Sequence, residues 1–585
     1  MQSLHKPMLL VSLAILLASC MPSSEEKGPA GIQLPPMEIP LREFSSTQPA
    51  PDNTPVSSTQ FPLPTATATL AGPTPASPFM DGTITPLPYP LWIDISVPDA
   101  LREAALEWNL SVAISPFAAS LELGLADSSD ENLSRWIYAL VAPFPTVMDG
   151  VAEGELEAAW NASSSGPVPE SPLWMTESTL NAMTAIFGEA GEGAVRTVSP
   201  EELIDTLWEN QPAWGIVPFE LLEPRLKVLT IDKQSPVRND FDPSVYPLQV
   251  DFSLTGARAE TFELPLTNRD PSRMTVLLMT GVTALVRATA TRMEIFGLDY
   301  PAWDIGDILR AADITHISNE VPFYTGCPYP DARQEGLVFC SNPKYIELLE
   351  LVGTDVVELT GNHFQDYGSV ATLQTLEIYN ERQLPYYGGG ADLEDSRKPA
   401  LLTHNGNRFA FIGCNPVGPL ITWADETEPG AAPCGDYEWM KSEITDLTRK
   451  GYIVIATFQY IEYYDPVPID EHVADFRAIA DSGATLVNGS QAHIPMAMEF
   501  YGNSFIHYGL GNLFFDQMDG PSRREFLDRH VFYDGRYIST ELITAMLEDF
   551  ARPRPMRTNE REEFMERMFD VSGWRESLPN GEGEN

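Results

Sequence analysis

A short polar motif in residues 356–368 combines side chains that could bind a metal or transfer a proton. The apolar run 356–359 predicts a buried strand, which ends at Gly361, Asn362 and His363, and residues 372–379 have helical spacing. This order places an amide and an imidazole at the carboxyl end of a strand, where open α/β sheets bind ligands. The alternative is an ordinary turn, in which Asn362 caps the next helix and His363 makes a structural hydrogen bond.

Three further loops at predicted strand ends carry polar residues of the same kinds. An apolar strand ends in an Asn-Glu pair, a second ends in a Gly turn followed by His, and a Gly-rich turn contains Asn and Asp. Together these loops indicate a site more strongly than any one of them does. Their polar residues are Asn319, Glu320, Gln491, His493, Asn512 and Asp516.

Strands and helices alternate repeatedly between residues 273 and 519, which is typical of a layered α/β fold. Residues 273–281, 453–458, 484–488 and 504–508 are the clearest predicted strands, and residues 471–482 have helical spacing. After Asp519 the chain becomes rich in charge, so we expect residues 521–585 to form a helical C-terminal appendage.

The order of these motifs resembles the CapA family of capsule and poly-gamma-glutamate synthesis proteins, over about residues 272–520. The segment 499–516 is its most specific part. The resemblance implies a four-layer αββα sandwich of the metallophosphatase type, with a two-metal site at the strand ends. It also implies three sets of residues: Glu320, Asn362 and His493 as metal ligands, His363 and Asn362 as catalytic groups, and Asn319, Glu462, Gln491 and Asn512 at the substrate.

The chain departs from the family pattern at the positions that should bind metal. Val282 stands where the family has an aspartate, Phe458 stands where it has a histidine, and residues 489–493 keep only His493 of three histidines. Carboxylates and imidazoles supply most of the affinity for divalent cations, so two metals should bind poorly. We expect at most one weakly bound cation (Mn, Zn or Mg). Alternatively, other histidines replace the lost ligands: His316, His404, His472 or His507.

Residues 89–260 predict a separate α/β domain, in which short apolar runs alternate with amphipathic segments. The order of its phrases is similar to that of periplasmic solute-binding domains. No motif in it would fix a ligand, so a structural or docking domain is the alternative to a solute receptor.

The first twenty residues read as an export signal that ends at Cys20. Lys6 supplies the positive charge, an apolar segment too short to span a bilayer follows, and the ending resembles a bacterial lipobox. A lipid on Cys20 would anchor the exported chain to the outer face of a bacterial cell membrane. The alternative is a plain secretory signal with an incidental cysteine. Residues 21–88 are rich in Pro, Ser and Thr, which predicts a disordered tether.

The remaining four cysteines form two local pairs, Cys327 with Cys340 and Cys414 with Cys434. In an exported protein, an even number at short separations favours disulfides. A zinc site made of all four thiolates is the alternative, but neither pair has the close spacing that structural zinc sites show.

The bulk composition limits the partners of the chain. Its 36 basic and 83 acidic residues give a formal net charge of -47, which repels nucleic acid and anionic lipid headgroups. Three functions follow from the motifs. The first is a lipoprotein that binds or organises a cell-envelope polymer or assembly proteins. The second is a divergent metal-dependent phosphoesterase-like hydrolase, and the third is a solute receptor formed by residues 89–260.

Overall fold

The computed structural model describes residues 87–130, 133–163 and 171–574. Cys20, the predicted signal peptide and nearly all of the predicted tether therefore lie outside the described residues. None of the helices in these ranges is both long and apolar enough to cross a membrane.

The first part of the described chain is an α/β domain built on one strongly mixed sheet. The strands are β1 (Leu87–Ile93), β2 (Leu110–Val112), β3 (Leu121–Leu125), β4 (Leu133–Pro143), β5 (Gly150–Val151), β6 (Leu173–Met175), β7 (Val195–Thr197), β8 (Trp214–Pro218), β9 (Leu226–Val228), β10 (Thr230–Ile231) and β11 (Gln249–Gly256). The strand order in the sheet is β2-β1-β3-β11-β4-β8-β6-β7, and β9 also pairs with β4. The helices are α1 (Asp99–Leu106), α2 (Glu153–Trp160), α3 (Glu177–Phe187) and α4 (Pro200–Glu209).

The second part contains two larger sheets. Its strands are β12 (Met274–Thr280), β13 (Val282–Thr283), β14 (Ile314–Asn319), β15 (Thr354–Glu358), β16 (Tyr386–Tyr387), β17 (Gly389–Gly390), β18 (Ala400–His404), β19 (Asn407–Cys414), β20 (Gly430–Ala431), β21 (Ile453–Gln459), β22 (Leu486–Ser490), β23 (Met498–Tyr501), β24 (Ser504–His507), β25 (Arg524–Tyr533), β26 (Arg536–Glu548) and β27 (Arg552–Pro555). The helices are α5 (Arg287–Phe296), α6 (Gly306–Arg310), α7 (Ile346–Leu351), α8 (Gly368–Glu381), α9 (Leu393–Ser396), α10 (Glu438–Arg449), α11 (Asp470–Asp481) and α12 (Thr558–Val571).

These elements form four layers. The first sheet has the order β16-β15-β14-β12-β25-β26-β27 and the second the order β18-β19-β21-β22-β24-β23. Side chains from both sheets share one core, to which Leu277 and Val356 contribute from the first sheet and Phe411 and Ile455 from the second. Helices α5 to α8 pack on the outer face of the first sheet, and α10 and α11 on that of the second. The predicted αββα sandwich is confirmed.

The central strands are buried on both faces, which explains their uniform apolar sequences. Every residue of β12 is buried, and this strand lies between β14, which is parallel to it, and β25, which is antiparallel. A strand covered by a second sheet and by helices needs apolar side chains in both directions. The parallel arrangement of β14 with β15, and of β21 with β22, brings their carboxyl ends to the same edge of each sheet.

The prediction of a helical C-terminal appendage is wrong for residues 524–555. These residues form β25 to β27, and β25 pairs with every residue of β12. The charges that suggested an exposed helix are paired across the sheet, as where Arg529 Nη1 lies 2.6 Å from Glu541 Oε2 on the neighbouring strand. Among the described residues 524–574, Thr558–Val571 form an α-helix, α12.

The two parts share a packed interface. Val141 and Phe219 of the first part belong to the same buried cluster as Val276 and Val531 of the second. An ion pair between Arg238 and Glu541 crosses the same boundary.

Both predicted disulfides are confirmed. Cys327 is bonded to Cys340 and Cys414 to Cys434, with separations of 13 and 20 residues along the chain. The alternative of a zinc site made of the four thiolates is therefore wrong.

Candidate functional site

The site lies where the carboxyl ends of the two sheets meet. Glu320 follows β14, Asn362 follows β15, and Gln459 is the last residue of β21 in the other sheet. The Gln459 Nε2 group donates to Glu320 Oε1 at 2.9 Å and to Asn362 Oδ1 at 3.0 Å. The structure thus brings together two of the predicted metal ligands, and it joins them through a side chain that the sequence did not single out.

Close backbone contact sets this junction. An atom added at the Cα of Gly361 would lie 2.5 Å from the carbonyl oxygen of Glu320, so only glycine fits between β14 and the Asn362 turn. Asn362 does not cap α8, since Tyr367 precedes that helix. Its backbone carbonyl accepts a hydrogen bond from the Thr422 hydroxyl at 2.6 Å.

His363 is held by a carboxylate that the sequence reasoning passed over. Its Nδ1 lies 2.7 Å from Asp366 Oδ2, which can only accept, so Nδ1 donates and Nε2 is left for other contacts. Asp366 also accepts from the backbone amide of Phe339, whose ring meets the imidazole edge-on at 4.7 Å. Burial lowers the pKa of His363, but hydrogen bonding to Asp366 and the nearby Glu320 carboxylate outweigh burial and raise it above the usual value.

His493 belongs to a second polar pair. Its Nδ1 lies 2.8 Å from Asn512 Oδ1, and its ring stacks on Phe515 with a centroid separation of 4.8 Å. The Asn512 amide nitrogen lies 3.2 Å from the carbonyl of Ser522, which fixes the orientation of that amide. His493 therefore makes its contacts with Asn512 and Phe515.

An arginine connects the two histidine environments. Arg287 forms an ion pair with Asp516, and its guanidinium lies 4.9 Å from the Phe339 ring centroid and 5.5 Å from that of Phe515. These two rings contact His363 and His493 respectively. In the sequence, the only signal of this arrangement is the presence of an arginine, Arg287, five residues after Val282.

The predicted substrate-binding residues lie in different surroundings. The Asn319 amide donates to Val321 and to Tyr379 within the protein, at 2.8 and 2.9 Å. Glu462 is exposed and accepts a hydrogen bond from the Tyr464 hydroxyl. Gln491 is buried, in the left-handed backbone region at φ 81°. The fourth residue, Asn512, contacts His493 as described above.

Val282 occupies the position where the sequence departs from the family's aspartate. Its side chain is fully buried in an apolar cluster with Ala284, Val321, Phe339 and Phe515. No oxygen or nitrogen ligand is available from such a side chain. Within the described ranges, no group of three or more His, Cys, Asp or Glu side chains could hold a metal ion.

The four histidines considered as replacement ligands have other partners, so that alternative receives no support. Burial lowers the pKa of His316 and of His472 to about 3, which is typical of core histidines. Their contacts are His316 Nε2 to the Tyr387 hydroxyl at 2.8 Å, His404 Nδ1 to the Thr275 hydroxyl at 3.2 Å, His507 Nδ1 to Asp528 Oδ2 at 2.6 Å, and the His472 ring stacked on Tyr460 at 4.2 Å.

Fold and site together define a two-sheet αββα domain with a polar centre at its strand ends. Residues 276–517 match the family model described as bacterial capsule synthesis protein PGA_cap. The resemblance of this domain to the CapA family is thereby confirmed.

Two curated relatives share this region. The chain is 25% identical to capsule biosynthesis protein CapA of Bacillus anthracis over 258 residues, which are 43% of this chain and 62% of that protein. It is 28% identical to PGA biosynthesis protein CapA of Bacillus subtilis (strain 168) over 211 residues, 36% and 55% of the two chains. The chain thus spans between about half and two thirds of the length of these relatives.

Two solved structures illustrate the similarity of chain path. NAD nucleotidase (NadN) of Haemophilus influenzae has a TM-score of 0.30 and 10% identity, covering 51% of this chain and 56% of that one. An ABC-type phosphate transport receptor from Vibrio cholerae has a TM-score of 0.24 and 13% identity, covering 29% and 90%. No functional conclusion follows from similarities at this level.

Proposed function

We propose that this chain is an exported, CapA-like accessory protein of capsule or poly-gamma-glutamate synthesis, anchored through a lipid on Cys20, and that it works by binding and assembly without a metal. The observation that carries the metal-independent role is the Gln459 amide, which donates to both Glu320 and Asn362. The names of the relatives supply the polymer class.

The charge of the chain favours proteins over bulk polymer as its direct partners. Poly-gamma-glutamate carries a carboxylate on each residue, and a protein with a formal net charge of -47 repels such a polyanion at low ionic strength. We therefore propose that the exposed surface of the domain binds assembly proteins of the envelope. Any contact with the polymer would involve only a short segment of the polymer.

Deletion of the gene in its own organism tests the proposed role. We expect loss of protease-resistant glutamate polymer from the envelope fraction, measured as free glutamate after acid hydrolysis, and restoration by the wild-type gene. The His363→Ala variant should restore most of the polymer, because a binding role does not need that imidazole. Loss of polymer with His363→Ala at normal protein level, together with phosphoesterase turnover and retained Mn or Zn, would instead establish the hydrolase. Unchanged polymer in the deletion strain contradicts the proposal.

A cavity in the first domain favours the solute receptor as a second candidate function. It has a volume of about 490 Å³ and receives the first turns of α1, α3 and α4. The helix N-termini and Arg102 would attract an anionic group of a ligand. The carboxylates of Asp99 and Glu177 also line the cavity, so the ligand would need hydrogen-bond donors as well. The lining includes Asp99, Arg102, Thr176, Glu177, Ser178 and Ser199.

Thermal-shift screening of the whole chain against hydrogen phosphate, sulfate, sugars and amino acids tests this second function. We expect a shift that Arg102→Ala removes and Arg258→Ala, outside the cavity lining, leaves intact. No shift with any class would leave the domain as a structural module.

A further inference from the structure

Gln459 occupies an unusual place for a glutamine. Its side chain is fully buried at the end of β21, and both hydrogens of its amide nitrogen are used, one by Glu320 and one by Asn362. Those two acceptors come from strands of the other sheet, 139 and 97 residues away along the chain. A single nitrogen thus lies within 3.0 Å of two oxygens that resemble metal ligands.

The orientation of this amide is fixed by its neighbours. If the carboxamide were turned over, Gln459 Oε1 would face the Glu320 carboxylate and Asn362 Oδ1, two groups that cannot both donate. In the observed orientation, Oε1 has no hydrogen-bond partner among the described residues. One unsatisfied amide oxygen costs less than an oxygen held against a carboxylate.

Glu320 depends on this donor. The residue is 1% exposed, and its second oxygen, Oε2, has no hydrogen-bond partner in the described part of the chain. A buried carboxylate needs a donor or a cation to offset its lost hydration. Gln459 supplies that donor to Glu320 Oε1, through the same nitrogen that donates to Asn362 Oδ1.

We infer that the Gln459 carboxamide takes the position between Glu320 and Asn362 that a divalent cation would need, and that it keeps this site free of metal. The inference rests on the proposed metal-independent function and deepens it, because it names the group that replaces the metal. One other place where the family has a ligand agrees with it, since Val282 is apolar.

Substitution of the amide provides the test. Gln459→Glu replaces the donor with an oxygen, so that three oxygen-bearing side chains converge on one point, as hard cations prefer. Gln459→His offers an imidazole there, which suits Zn and Mn. Gln365→Glu and Gln365→His are matched controls, because Gln365 is also buried near the turn but donates to the carbonyl of Ile421.

Metal binding is measured on the full chain by calorimetric titration with MnCl₂ and ZnCl₂ and by elemental analysis after dialysis. We expect millimolar or weaker binding by the wild type, and binding of one equivalent at least ~100-fold tighter by whichever Gln459 variant folds. A wild type that retains a metal tightly overturns the inference. So do Gln365 controls that gain as much affinity, or folded Gln459 variants that gain none. Tight metal retention by the wild type would overturn both the inference and the metal-free part of the proposed function, whereas folded Gln459 variants that gain no affinity would overturn the inference alone. The accessory role in polymer synthesis is tested separately by the deletion strain.

Discussion

Removal of the Gln459 amide should destabilise the chain more than removal of any comparable glutamine near the site. Gln459→Ala deletes a hydrogen bond to a buried carboxylate and another to Asn362. A hydrogen bond to a charged group contributes about 1.5–3 kcal/mol and one between neutral groups about 1 kcal/mol. With the small void left behind, we expect a loss of roughly 3–5 kcal/mol in the free energy of unfolding.

The matched control is Gln365→Ala. Gln365 is also buried, but its amide makes one hydrogen bond, to the backbone carbonyl of Ile421 at 2.6 Å, so its removal should cost about 1–2 kcal/mol. Urea unfolding of both variants in the presence of EDTA gives the comparison, and EDTA itself should not change the wild-type midpoint. Equal losses for the two variants would refute the reasoning.

A double-mutant cycle isolates the contact itself. Glu320→Gln removes the charge that Gln459 stabilises, so Gln459→Ala should cost at least about 1 kcal/mol less in that background. Additive effects of the two substitutions would mean that the amide and the carboxylate do not interact.

Three further predictions concern the core, the disulfides and the domain interface. Val282→Asp buries an unpaired charge in an apolar cluster and should lower the free energy of unfolding by about 3–5 kcal/mol, measured by thermal or urea unfolding. Since Gln459 remains in place, excess MnCl₂ should not restore stability, and restoration would contradict the account. Replacement of Cys414 and Cys434 by serine should lower the free energy of unfolding by about 3 kcal/mol. This loss should exceed that of the same change at Cys327 and Cys340, because the loop closed by Cys414 and Cys434 is longer and both of these cysteines are fully buried. Urea midpoints of the two double variants give the order. Burial raises the pKa of Glu541, but Arg529 and Arg238 outweigh burial and lower it to about 2. Because this folded value lies below the unfolded value, the stabilisation is present above about pH 4.5 and is lost as the pH falls towards 2. Glu541→Gln should thus cost about 3 kcal/mol at pH 7 and less than half of that at pH 3, and an equal cost at both pH values would contradict the assignment.

The strand and helix pattern predicted a layered α/β fold, and the four-layer sandwich followed from the resemblance to the CapA family. Uniform apolar runs such as that of β12 cannot be read as exposed segments, and the Gly361 turn marked the end of β15. The pairing of the cysteines followed from their spacing. Charge misled the reading of residues 521–585, since arginines and glutamates paired between adjacent strands have the same composition as a solvated helix.

The chemistry of the site could be predicted only in part. The turn at Asn362 and His363 was visible because glycine, amide and imidazole follow an apolar run. The role of Gln459 was not visible, because a glutamine at a strand end has no local signature and its partners lie on the other sheet. Asp366 was likewise within the motif, but the hydrogen bond that orients His363 depends on the turn geometry.

Anomalous X-ray scattering from crystals of the full chain soaked in MnCl₂ tests the central claim most directly. The account predicts no anomalous peak between Glu320 and Asn362 in the wild type, with the Gln459 amide in contact with both oxygens. A strong peak within coordinating distance of those two oxygens, with Gln459 turned away, would contradict it.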